Sequence, residues 1–348
     1  MSIKIHKRKI PLFALLLILI IVVIFGLKYL SSSKKVSPVS TQSVSEKKTD
    51  ELPDQKNIDA IKKVATTQSA MEAWQYVINT YSKDTANDSA HEYAHFAGKL
   101  LFEAEGLNGM TICTPEFAFG CYHGLLDQAF QKDLSALSPA EKACAQIRNA
   151  GGYSSCIHGI GHGIASYFKV KELTSSLKTC DKLPKGAPQY CYDGVFMEFS
   201  REALDSFYRP DNPLYPCDSV GTKYSYACGR NQPTVMMSRL NKNFKESAEA
   251  CAKAKDPDLK TACFVAIGFQ AVYLSKQNVP DLISMCNILN DKNFQYQCLS
   301  AAAGEFIFQN MPDWQTKSPR VCQANTDKKQ QDLCSSHLQE IQKLYRGQ

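Results

Sequence analysis

Residues 247–276 read SAEACAKAKDPDLKTACFVAIGFQAVYLSK. A short Ala-rich amphipathic stretch carries Cys251, a polar Asp256-Pro257-Asp258 turn follows, and a longer apolar stretch begins around Cys263. Helical apolar spacing on both sides of a proline-containing turn predicts helix, turn, helix. The same grammar recurs upstream in SPAEKACAQI with SSCIHGIGHGIASYF, and downstream in PDLISMCNIL with YQCLSAAAGEFIF and PRVCQAN with QDLCSSHLQEIQKLY. The cysteines mark the rhythm. The second of each couple falls at Cys121, Cys156, Cys191, Cys228, Cys263, Cys298 and Cys334, in steps of 35, 35, 37, 35, 35 and 36 residues. A period of this size is the signature of a repeat protein.

Fourteen cysteines in such couples predict seven local disulfides, Cys113–Cys121, Cys144–Cys156, Cys180–Cys191, Cys217–Cys228, Cys251–Cys263, Cys286–Cys298 and Cys322–Cys334, each tying the end of one helix to the start of the next. Disulfides of this density persist in an oxidising compartment. The absence of CxxC spacing argues against metal-thiolate sites. A unit of this length cannot bury a face alone, so neighbours must stack. The expected fold is therefore all-α, an α-solenoid of about eight helical hairpins behind an N-terminal transmembrane helix. Gly124, Gly159, Gly194, Ala266 and Ala301, three residues after the second cysteines, permit close helix approach. In period and layout, residues 110–348 resemble helical-hairpin repeat proteins of the Sel1-like and tetratricopeptide kind. That resemblance implies architecture and no activity. Upstream, TTQSAMEAWQYVINTYSKD and NDSAHEYAHFAGKLLFEAEG read as one more hairpin without its cysteines.

The N-terminus predicts topology. Residues 1–9 form a basic tail with Lys4, Lys7, Arg8 and Lys9, and residues 10–30 an apolar signal anchor long enough to cross a bilayer. Charge on the N-terminal flank predicts a cytoplasmic N-terminus and an extracytoplasmic domain, at a cell surface or in a periplasm. Residues 31–57, rich in Ser, Lys and Thr, read as a flexible linker, with residues 58–348 as the stapled repeat domain. The formal net charge of +6 belongs to the anchor: residues 1–50 hold nine Lys/Arg and two Asp/Glu, leaving 31 against 32 for the rest. A near-neutral domain lacks the basic face that nucleic-acid binding needs.

Laid along this rhythm, five of the seven histidines fall in register. Two residues after the second cysteine stand His123, His158 and Asp193, and six residues after it stand Asp127, His162 and Met197. Aligned on the histidines, the unstapled hairpin supplies His91 and His95. Residues four apart share a helix face. Equivalent positions of successive units then line one wall, so His91, His95, His123, Asp127, His158, His162 and Asp193, with Glu198 nearby, form a polar ladder and a candidate metal site. Later units carry Arg230 and Thr234, Val265 and Phe269, Ser300 and Gly304, then Ser336 and Glu340. Imidazole and carboxylate together suit a transition metal, Zn first, with Fe, Mn and Cu compatible.

HEYAH, residues 91–95, also matches HExxH, and so resembles the zinc helix of metallopeptidases, in which two histidines hold zinc and the glutamate is general base. On that resemblance Glu92 is a candidate base; Asp127 is the other carboxylate in reach. Leu101 stands where the metzincin pattern needs its third histidine. Ligands drawn from successive helical repeats also resemble the di-iron centre of deoxyhypusine hydroxylase, which implies an oxygenase as the other enzyme class. Ser89 to Glu92 reads independently as a capping box. No nucleophile elbow or Gly-rich phosphate loop is present. The expected function is a membrane-anchored metal-dependent hydrolase or oxygenase. The alternative is a non-catalytic solenoid that binds a peptide, a cell-wall polymer or an envelope protein on its concave face, with Tyr208, Tyr215, Tyr224 and Tyr226 as contact residues.

Overall fold

The computed structural model describes residues 54–82, 89–131, 133–148 and 151–346. The expected anchor and most of the linker lie outside them. Among the described residues no helix is long and apolar enough to cross a membrane. The described chain is all-helical, without β-strands, and its fifteen α-helices repeat in the predicted rhythm.

Three helices precede the stapled units: α1 (Gln55–Thr67), α2 (Ala70–Tyr81) and α3 (Ser89–Glu105). Helix α1 starts inside the segment expected to be linker, because Asp54 caps it and Ile61 on its inner face is fully buried. The repeats then alternate long and short helices. The long ones are α4 (Glu116–Phe130), α6 (Gly152–Tyr167), α8 (Pro188–Glu202), α9 (Ser225–Ser238), α11 (Pro257–Leu274), α13 (Lys292–Phe308) and α15 (Lys328–Arg346). The short ones are α5 (Leu137–Cys144), α7 (Leu173–Cys180), α10 (Phe244–Ala252), α12 (Val279–Asn287) and α14 (Trp314–Gln323). Each long helix, from α3 onward, packs on the next long helix. Helices α11 and α13 are enclosed on both sides, which explains why their sequences are apolar nearly all round.

All seven expected disulfides are present, with Cα separations of 5.4 to 5.7 Å, and no cysteine is free. Two units depart from the expected hairpin. Cys113 follows a 3₁₀ turn (Gly106–Thr111), and Cys217 lies among turns between 3₁₀ segments at Asp205–Phe207 and Thr222–Tyr224. The cause is local: Pro210, Pro213 and Pro216 recur every three residues and deny helical hydrogen bonds. Of the tyrosines there one is buried, two are half-buried and one is exposed. Tyr208 is buried with its hydroxyl donating to Phe199 O, Tyr215 lies under Arg209, and Tyr224 packs on Tyr192 and donates to Asp181, while Tyr226 is exposed. The last helix curls back onto an early one: the Tyr345 ring lies against Gly151 and its hydroxyl reaches Ser154 at the start of α6.

Candidate metal centre

Helix α3 supplies His91 and His95, α4 His123 and Asp127, α6 His158 and His162, and α8 Asp193 and Glu198. Small residues let these helices come close enough for the side chains to meet. A Cβ on Gly124 would strike the His95 carbonyl and stand 2.6 Å from His95 Cα; one on Gly194 would strike the His158 carbonyl. A Cβ on Gly159 would stand 3.4 Å from His123 Cα. In these three units the glycine three residues after the second cysteine thus faces a histidine backbone of the preceding unit.

The five imidazoles converge. Ring centroids are 4.6 Å apart for His91 and His95, 5.6 and 5.4 Å from these two to His123, 5.2 Å from His123 to both His158 and His162, and 4.8 Å between the last two. Nitrogen atoms of His91, His95 and His123 all lie within 4.8 Å of one another. His123, only 5% exposed, stands in the middle, and neither of its ring nitrogens has a hydrogen-bond partner. A buried polar atom left so costs roughly 1–3 kcal/mol.

The neighbours assign the tautomers of three other rings. His91 Nδ1 donates to Phe117 O at 2.7 Å. That carbonyl is placed by three consecutive residues with left-handed backbone, Phe117, Ala118 and Phe119, at φ of 53°, 50° and 64°. Non-glycine residues pay strain for such angles, and strain of this kind gathers at functional sites. His162 Nδ1 donates to Glu198 Oε2 at 2.6 Å, and His158 Nδ1 faces Asp193 Oδ2 at 3.2 Å. A carboxylate only accepts, so both Nδ1 atoms carry the proton. The Nε2 atoms nevertheless meet at 3.0 Å, as do those of His91 and His95. For His158 and His162 this brings two lone pairs head to head unless a further proton or a cation comes between them.

Burial pushes His91, His95, His123 and His158 below the ordinary histidine range, furthest for His95 and His123, whose histidine neighbours add to the effect. For His91 the Phe117 carbonyl opposes the shift, and for His158 Asp193 does. Neutral imidazole is the metal-ligating form. Burial would raise Asp193, but Arg230, 3.3 Å away, and His158 hold it at about 2. Glu198, half-buried, is held below its usual range by the hydrogen bond from His162.

The carboxylates therefore stand differently from the polar ladder read in the sequence. Asp193 faces His158, Arg230 and Asn231. Asp127 pairs with Lys99 at 2.9 Å, and Glu92 accepts from Arg201 at 2.6 Å. Beside His95 and His162 lies a cavity of about 220 Å³ walled by these two ion pairs and by Glu198 and Glu202. Lys99, Arg201 and Glu202 were not singled out in the sequence, because none occupies a repeated position. His337 is exposed and takes no part; His6 lies outside the described residues. Comparison with protein-family models, with curated proteins and with solved structures finds no match to this chain.

Proposed function

We propose that this chain is a membrane-anchored, extracytoplasmic metalloprotein, a disulfide-stapled solenoid whose first units hold a transition metal on His91, His95, His123, His158 and His162. The observation that carries the reading is His123, buried with both ring nitrogens unpartnered among four other imidazoles. The carboxylate and carbonyl partners on the far nitrogens of His162, His158 and His91 support it, since ligating histidines characteristically have such partners. With Asp127 and Asp193 turned to cations, the donor set is all nitrogen. This favours Zn or Cu over Mn.

The charged cavity is the proposed substrate site, and hydrolysis the proposed reaction. Bound zinc supplies a water that ionises near neutral pH. Glu92 is the base in this reading: it lines the cavity on the same helix as His95, and Arg201 orients its carboxylate. Asp127, held by Lys99, is the other candidate base among the carboxylates of the cavity. Lys99 and Arg201 suit a substrate that develops negative charge on oxygen.

The test is the metal content of the full chain, purified in detergent, incubated with zinc and dialysed. At least one equivalent should be retained by the wild type and lost in His123→Asn, with circular dichroism confirming that the variant is folded. Retention below about 0.2 equivalents in the wild type, or retention equal in both proteins, overturns the reading.

A further inference from the structure

We infer that the site holds two metal ions rather than one, with His123 as a bridging imidazolate between them, each ion also held by one pair of histidines four residues apart. The inference rests on the metal-binding reading above and concerns how that site is organised.

A metal bound to a ring nitrogen at 2.0–2.1 Å lies about 3.2 Å from the ring centroid, so two ligands of one ion have centroids about 4.5–5.2 Å apart for angles between square and tetrahedral. His91, His95 and His123 give 4.6, 5.6 and 5.4 Å, close to that interval. His158, His162 and His123 give 4.8, 5.2 and 5.2 Å, within it. His123 belongs to both sets. An imidazole has two ring nitrogens on opposite sides, and both of those of His123 are buried without a partner. A terminal ligand needs one free nitrogen and gives the other to an orienting group, as His91, His158 and His162 do here. His123 has no such group, which is the expected state of a ring that gives a nitrogen to each of two ions.

When the second ion binds, the N–H bond of neutral His123 breaks, a metal–nitrogen bond forms in its place, and the proton leaves to solvent. No electron moves. The ions would stand about 6 Å apart, two metal–nitrogen bonds plus the width of the ring. Their charge is offset by the imidazolate and by Asp193 and Glu198, which face His158 and His162.

Cu(II) tests this, because it binds nitrogen sites more tightly than its first-row neighbours and its unpaired electron reports on an adjacent copper. The full chain is titrated with Cu(II), with binding followed by calorimetry and the loaded protein examined by electron paramagnetic resonance. The expected result is two equivalents, loss of the ordinary single-copper signal through antiferromagnetic coupling, and a half-field transition. In His123→Gln, binding should weaken at least tenfold, and the copper bound at saturation should give the uncoupled signal. One equivalent with a single-copper signal, two equivalents without coupling, or coupling that persists in His123→Gln each overturns the bridge and leaves the metal site standing. No bound copper at all overturns the metal site and the bridge together.

Discussion

Gly124→Ala is expected to lower the stability of the repeat domain by about 3 kcal/mol and to weaken metal binding at least 100-fold. The new methyl group would meet the His95 carbonyl, its carbon and its Cα, none of which can swing aside as a side-chain tip would. Overpacking costs about 1–3 kcal/mol, and an obstacle made of backbone places this case at the upper end. Helix α3 must move away from α4, and the move separates His91 and His95 from His123. Loss of a single orienting contact at a metal site already costs 10–100-fold in affinity. Gly221→Ala is the control, since the nearest atoms to its new Cβ are 3.8 Å away. Urea midpoints and metal titrations of the two variants decide the point. If Gly124→Ala behaves as Gly221→Ala does in both, the close approach of α3 and α4 does not build the site.

Reduction of the disulfides should have the larger effect on the fold. Each bridge closes a loop of 8 to 12 residues. In the chain-entropy model such a loop is worth about 2.5–3 kcal/mol. Seven of them add up to roughly 20 kcal/mol, more than the 5–15 kcal/mol by which a whole domain is usually stable. Full reduction under mild denaturant, followed by removal of the denaturant with reductant kept present, should leave a chain without a cooperative urea transition or near-ultraviolet dichroism. Refolding with an unchanged midpoint would mean that packing alone specifies the repeat.

The parts of the molecule that repeat were legible in the sequence. Cysteine rhythm gave all seven pairings, because a unit that closes on itself leaves no choice of partner. Register brought His91, His95, His123, His158 and His162 to one place, because equivalent positions of stacked helices face the same way. What depends on the reach of single side chains was not legible. Offset placed Asp127 and Asp193 on the correct wall, yet Lys99 and Arg230 take them, and those partners follow no period. Glu92 in its HExxH setting faces Arg201, more than a hundred residues further along the chain. The left-handed turn at residues 117–119 that orients His91 has no marker such as glycine or asparagine. The missing short helices before Cys113 and Cys217 did carry one: Gly106 and Gly109 in the first case and three spaced prolines in the second. Cysteine spacing concealed it, since a turn closes such a loop as well as a helix does.

The claim that imidazoles from successive units converge on a transition metal is tested most directly by X-ray absorption at the zinc edge of the loaded full chain. The account predicts a first shell of nitrogen or oxygen near 2.0–2.1 Å, with the outer-shell scattering of at least three imidazole rings per zinc. A sulfur shell near 2.3 Å, or a shell without imidazole scattering, would contradict it.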